Sequence, residues 1–133
     1  MDTAHTTRPA SRRPKYVDLN LANLPPPGLV SIFHRVTGLA LFFPILPLLI
    51  YLLQATLASE EGYLHWRAFF AQPVVKLMML GAFWAYAHHF FAGIRYLLLD
   101  VHIGIGKEPA RASAYAVLAL GAAATLLVGW CAW

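Results

Sequence analysis

Charge is the scarcest commodity in this sequence. Only 12% of its 133 residues are Asp, Glu, Lys or Arg, whereas a soluble domain uses about a quarter of its residues that way. Too few charges are present to cover a water-facing surface, so a soluble globular domain is excluded. The single cysteine, Cys131, excludes an internal disulfide, and without a C-x-x-C-H run haem cannot be attached covalently by the usual c-type route. The first 28 residues hold Arg8, Arg12, Arg13 and Lys15 but no short apolar stretch with a small-residue cleavage site. The first apolar run is therefore expected to be an uncleaved anchor and not a removed signal. The net charge of +4 comes from cations near the ends of apolar runs, where membrane topology explains them; no nucleic-acid partner is expected.

What the sequence has instead is apolar length. Hydrophobic residues make up 59% of the chain, and 24 residues between Arg35 and Glu60 carry no Asp, Glu, Lys or Arg. A further 18 such residues separate Lys76 from Arg95, and 22 run from Ala112 to Trp133. A spanning helix needs roughly 20 mostly apolar residues, and in lipid the backbone must satisfy its own hydrogen bonds. The fold class expected is thus all-α integral membrane, with three transmembrane helices over about 29–58, 69–100 and 111–132. Residues 1–28 form a basic arm ending in Pro25, Pro26, Pro27 and Gly28, and 29–133 form the anchor, with little left over for a soluble catalytic domain. Pro44 and Pro47 should bend the first span, and the segment holding Glu60, Glu61, Gly62, His65 and Trp66 reads as a loop. Lys and Arg concentrate in the arm with Arg35, and in the second turn with Arg95, Lys107 and Arg111. That predicts a cytoplasmic N-terminus and an outer C-terminus, where Trp130 and Trp133 suit the interface belt. Gly121, Thr125 and Gly129 make a smooth stripe for close helix packing, either within this chain or on a partner.

Ionisable groups within a span are costly unless paired or near water, so they mark candidate sites. Ser31 and Arg35 lie four apart and share a helix face, with His34 beside them. A hydroxyl, an imidazole and a guanidinium fork can hold a carboxylate or hydrogen-bond a quinone carbonyl. Equally, Arg35 can snorkel to headgroups while Ser31 caps the helix. In the second span, at 100° per residue, His89, Gly93, Tyr96 and Asp100 fall within about 60° of one another. An imidazole one turn from a glycine offers iron a ligand and a flat macrocycle some room. A packed or hydrogen-bonded histidine is the alternative. His88 points about 100° away from that face, toward lipid headgroups, a partner or the far side of the site.

The run Ser31-Ile-Phe-His-Arg-Val-Thr-Gly38 resembles the S-I-x-H-R-x-[ST]-G signature of the cytochrome b subunits of succinate dehydrogenase. Arg13-Pro14 followed by Asp18-Leu19 is similar to that family's N-terminal arm. His89-x-x-x-Gly93-Ile94-Arg95 with Asp100 is similar to its second signature, H-x-x-x-G-x-R-H-x-x-x-D, except that Tyr96 stands where the second histidine often is. Pro25–Pro27 is a further departure from the family pattern. The resemblance implies that His89 is an axial ligand to the iron of a non-covalent haem b shared with a second small membrane anchor subunit. That subunit would complete the helical bundle and supply the other axial ligand. His34 and Arg35 are then expected at the haem propionates and Ser31 and Arg35 at the quinone, with Gly93, Arg95 and Asp100 in support. No residue of this chain is expected to be catalytic in dicarboxylate chemistry. The implied role is to dock a flavoprotein and an iron–sulfur subunit to the bacterial inner (cytoplasmic) membrane and to pass electrons to ubiquinone. A fumarate reductase anchor using menaquinol, a small proton or ion transporter subunit, and a cofactor-free passive anchor are the competing expectations.

Overall fold

The computed structural model describes residues 24–132. The expectations for the basic arm, including Arg13-Pro14 and Asp18-Leu19, and for Trp133 lie outside the described residues. Five α-helices follow in order: α1 (Pro26–Ala40), α2 (Leu46–Ala58), α3 (Glu60–Phe70), α4 (Pro73–Asp100) and α5 (Lys107–Ala132). A π-helical turn, Leu41–Ile45, joins α1 to α2, so Pro26–Ala58 is one span of 33 residues. With α4 and α5 it makes three helices long and apolar enough to cross a bilayer.

The prolines begin helices where the sequence suggested they would delay them. Pro25 is extended at φ −64°, ψ 150°, with Pro26 and Pro27 in the first turn. The N–H groups of a first turn have no intrahelical acceptor, so proline costs nothing there. The first available donors, Gly28 and Leu29, already bond the Pro25 carbonyl at 2.8 and 3.3 Å. The first span therefore starts three residues before Leu29. For the same reason the third span starts at Lys107 and not at 111: Pro109 sits in its first turn, and Ala110 N–H closes the ladder onto the Gly106 carbonyl at 2.9 Å. Pro44, in contrast, lies inside a span. There the ladder slips by one residue, Leu46 N–H reaching back to the Leu41 carbonyl, which is how a missing donor is absorbed.

The stretch expected as a loop is helix α3. Ser59 caps it, its hydroxyl accepting from Gly62 N–H at 3.0 Å. Glu60 and Glu61 lie in its first turn and Arg67 in its last, as the helix dipole favours. Trp66 sets its ring against Tyr51 of α2 at 6.1 Å. The α4–α5 turn closes with two bonds, His102 N–H to Leu99 at 3.0 Å and Ile103 N–H to Leu98 at 2.9 Å. His102 takes a φ of 63° there, the left-handed position that usually falls to glycine in this motif.

The buried residues gather toward one end of the bundle, where the start of α1, the end of α4 and the start of α5 meet. Val30, Ala92, Ala114 and Val117 form the buried cluster, with Phe91, Tyr96 and Leu118 against it. α2 and α3 bury no residue. The small-residue stripe of α5 packs within this chain. A methyl group on Gly121 would lie 3.5 Å from the His88 backbone, and one on Gly129 3.3 Å from Leu80. Thr125 turns its hydroxyl back to the Gly121 carbonyl at 2.7 Å.

Candidate functional site

Helix α1 runs away from the packed end and α4 runs back toward it, so the two polar motifs meet side by side. His34 of α1 and His89 of α4 stack with ring centroids 4.2 Å apart and planes 10° from parallel. Tyr96 tilts onto His34 at 5.0 Å. A methyl group built on Gly93 would lie 3.8 Å from His34 Nε2. The expected α4 face therefore exists over His89, Gly93 and Tyr96, and His34 lies against all three. The space above Gly93, expected to stand open for a macrocycle, faces the His34 ring instead. Asp100, the fourth residue of that face, is exposed and in no ion pair among the described residues.

The hydrogen bonding of His89 fixes which nitrogen it offers. Its Nδ1 lies 3.1 Å from the His34 backbone carbonyl and 3.4 Å from Thr37 Oγ1. A carbonyl only accepts, so Nδ1 carries the proton and donates. The Thr37 hydroxyl donates to the Phe33 carbonyl at 2.7 Å, which leaves its oxygen free to accept as well. In the neutral ring Nε2 is then the nitrogen that carries the lone pair, and it makes no hydrogen bond among the described residues. A neutral imidazole with its distal N–H held by a carbonyl is the form in which histidine binds iron. The donor set thus fits an axial ligand, on the strength of that bond and not of the gap at Gly93.

Ser31 is half-buried and Arg35 exposed. Neither makes a hydrogen bond or ion pair among the described residues, so within those residues the hydroxyl and the guanidinium keep bonding capacity at the packed end. His34, expected beside them, turns inward to α4. Arg95 is 6% exposed; its Nε donates to Ser113 Oγ at 3.0 Å and its Nη2 to the Ala110 carbonyl at 3.3 Å. Its guanidinium also lies 5.4 Å from the Tyr96 ring centre. Arg95 thus ties the end of α4 to the first turns of α5. His88 meets neither headgroups nor the His34–His89 pair. It is fully buried, stacked on Trp84 at 5.5 Å and edge-on to Phe33 at 5.7 Å, with neither ring nitrogen in a hydrogen bond of good geometry among the described residues.

Two neighbours of His89 were not singled out by spacing. Thr37 is buried, and Gly38 lies so close that a methyl group there would stand 2.9 Å from His89 Cε1. Both belong to the Ser31–Gly38 run, where a threonine and a glycine one turn past His34 were the available signal.

Among known proteins, residues 9–128 match the family described as "Succinate dehydrogenase/Fumarate reductase transmembrane subunit". The succinate dehydrogenase cytochrome b556 subunit of Coxiella burnetii is 34% identical over 124 residues, covering 92% of this chain and 98% of that protein. The subunit of the same name from Paracoccus denitrificans is 31% identical, covering 80% of this chain and 82% of its own length. That from Rickettsia felis is 26% identical, covering 89% and 91%.

Proposed function

The chain belongs to the succinate dehydrogenase/fumarate reductase transmembrane subunit family, and from that premise we propose that it is the haem b anchor through which succinate dehydrogenase passes electrons to ubiquinone. The observation that carries this reading is the His89 imidazole, held at Nδ1 by the His34 carbonyl at 3.1 Å and so presenting Nε2 to iron. The haem, when bound, supplies a one-electron relay inside the membrane. Arg35, with His34, provides cationic and hydrogen-bonding partners for its propionates. Ser31 and Arg35 together offer a donor pair for a quinone carbonyl. Gly93, Arg95 and Asp100 support the site, Arg95 by fixing the end of α4 that carries His89.

A low-spin b haem takes two axial ligands, and His89 is one. His34 lies against the face of the His89 ring, and His88 is enclosed by this chain's own helices. This supports a second small membrane anchor subunit as the source of the other ligand. A flavoprotein and an iron–sulfur subunit complete the assembly and carry out the dicarboxylate chemistry, for which this sequence shows no flavin or cluster motif. The complex would sit in the bacterial inner membrane with the N-terminus of this subunit in the cytoplasm, in agreement with its Lys and Arg distribution. The family description also covers fumarate reductases, whose anchors would take electrons from menaquinol. The three similar subunits, all named for succinate dehydrogenase, favour the oxidative direction. The ionisable residues of the two motifs collect at one end of the bundle instead of crossing it, which favours electron transfer over an ion path.

Ser31→Ala and Arg35→Ala in the assembled complex test the quinone assignment. Each is expected to lower quinone reduction by about tenfold or more, the loss of one hydrogen bond to a charged or polarised group. Succinate oxidation by a dye that accepts electrons upstream should stay at the wild-type rate. Unchanged quinone reduction in both variants would favour a passive anchor.

A further inference from the structure

An axial imidazole retains one soft coordinate after its nitrogen is bound: rotation about the iron–nitrogen bond. That angle, relative to the second ligand, sets the splitting of the iron d orbitals, and the bond at the distal N–H sets the ligand's basicity. In this chain both are governed by a single turn of α1. The His34 carbonyl and Thr37 Oγ1 lie 3.1 and 3.4 Å from His89 Nδ1. The His34 ring covers one face of the His89 ring at 4.2 Å. Gly38 leaves room for the ring's Cε1 corner, where a built methyl group would stand only 2.9 Å away, closer than carbon atoms approach without something shifting.

We propose that Thr37 and Gly38 are positioning residues that fix the rotation and hydrogen bonding of His89, with the His34 ring as the wall against which it is held. The inference rests on the reading of His89 as axial ligand. It also reassigns the glycine that matters sterically. At Gly93 a methyl group would make an ordinary contact, 3.8 Å from His34 Nε2, whereas at Gly38 it would displace the imidazole. Threonine is suited to position 37 because its hydroxyl proton is taken up by its own helix, through the Phe33 carbonyl at 2.7 Å. The oxygen is thereby oriented as an acceptor for the partner helix.

The test is electron paramagnetic resonance of the oxidised haem and its midpoint potential, in the assembled complex carrying Gly38→Ala, Thr37→Val or Thr37→Ser. Gly81→Ala serves as control, since a methyl group there meets nothing within 4 Å. Gly38→Ala is expected to shift the largest g value beyond the wild-type linewidth. Thr37→Val should shift both g value and potential by less, and Thr37→Ser, which keeps the hydroxyl, should restore them; the control should match wild type. If Gly38→Ala prevents assembly, the Thr37→Val and Thr37→Ser pair decides the matter. Wild-type g values and potential in Thr37→Val and in any assembled Gly38→Ala complex would overturn the proposal. His89→Ala separates this failure from that of the underlying reading. Haem lost in His89→Ala but unperturbed in the other variants refutes the clamp alone, whereas haem retained with wild-type g values in His89→Ala refutes the ligand assignment itself.

Discussion

Arg95 is the residue whose energetics are most exposed to test. Its guanidinium is buried, and its Nε has one acceptor, Ser113 Oγ at 3.0 Å. Ser113 keeps a second bond of its own, to the Ala110 carbonyl at 3.2 Å. Removing the serine oxygen leaves a buried charged donor without its partner. Removing the arginine leaves a serine that is still satisfied. Ser113→Ala should therefore lower the stability of the complex by about 1–3 kcal/mol, and adding Arg95→Leu to it should recover part of that loss. Thermal unfolding in detergent reads both; an unchanged midpoint in Ser113→Ala would mean that the bond contributes nothing. At this scale the sequence pointed to His89, through its motif, as the proposed haem ligand, but not to the residues that hold it. That Thr37 and Gly38 surround it follows only once residues 52 and 51 positions apart are brought together by the crossing of α1 and α4.

The elements were legible where lipid dictates them and obscured where local chemistry overrides composition. Three uncharged runs were enough to find three spans, because only helices satisfy the backbone inside a bilayer. Their starts were misread at Pro25–Pro27 and Pro109 because a proline suppresses a helix everywhere except in its first turn. Helix α3 was missed because its polar residues suggested a loop, although Ser59 followed by Glu60 and Glu61 is a helix start. Gly62 is what lets α3 fold back on α2, for a methyl group there would stand 2.6 Å from the Ala55 carbonyl oxygen. A backbone oxygen cannot swing aside, so Gly62→Ala is expected to cost about 1–3 kcal/mol and to speed proteolysis of the α2–α3 junction. The haem spectrum should not change, since α3 lies at the end of the bundle remote from His89. A junction as protease-resistant as in wild type would show that α3 is not packed in this way.

As a whole molecule, the chain buries its residues mainly where its motifs are. The residues buried in all three spans lie at the end shared by the start of α1, the end of α4 and the start of α5. Toward the other end, Phe42, Phe43 and Leu57 are 65%, 66% and 78% exposed. In lipid that apolar surface carries no penalty, and it is available to acyl chains or to the proposed second anchor subunit. The packed end has the opposite character: two histidines stacked between helices, a buried arginine locking α4 to α5, and a serine and an arginine that have no partner among the described residues. Such a design would hold one wall of the proposed haem site rigid and leave the rest to the proposed partners. The measurement that bears on it most directly is the reduced-minus-oxidised absorption spectrum of the purified complex, wild type against His89→Ala. The account predicts that the b-type bands disappear in the variant while flavoprotein and iron–sulfur subunits remain attached; an unchanged b-type spectrum in His89→Ala would contradict it.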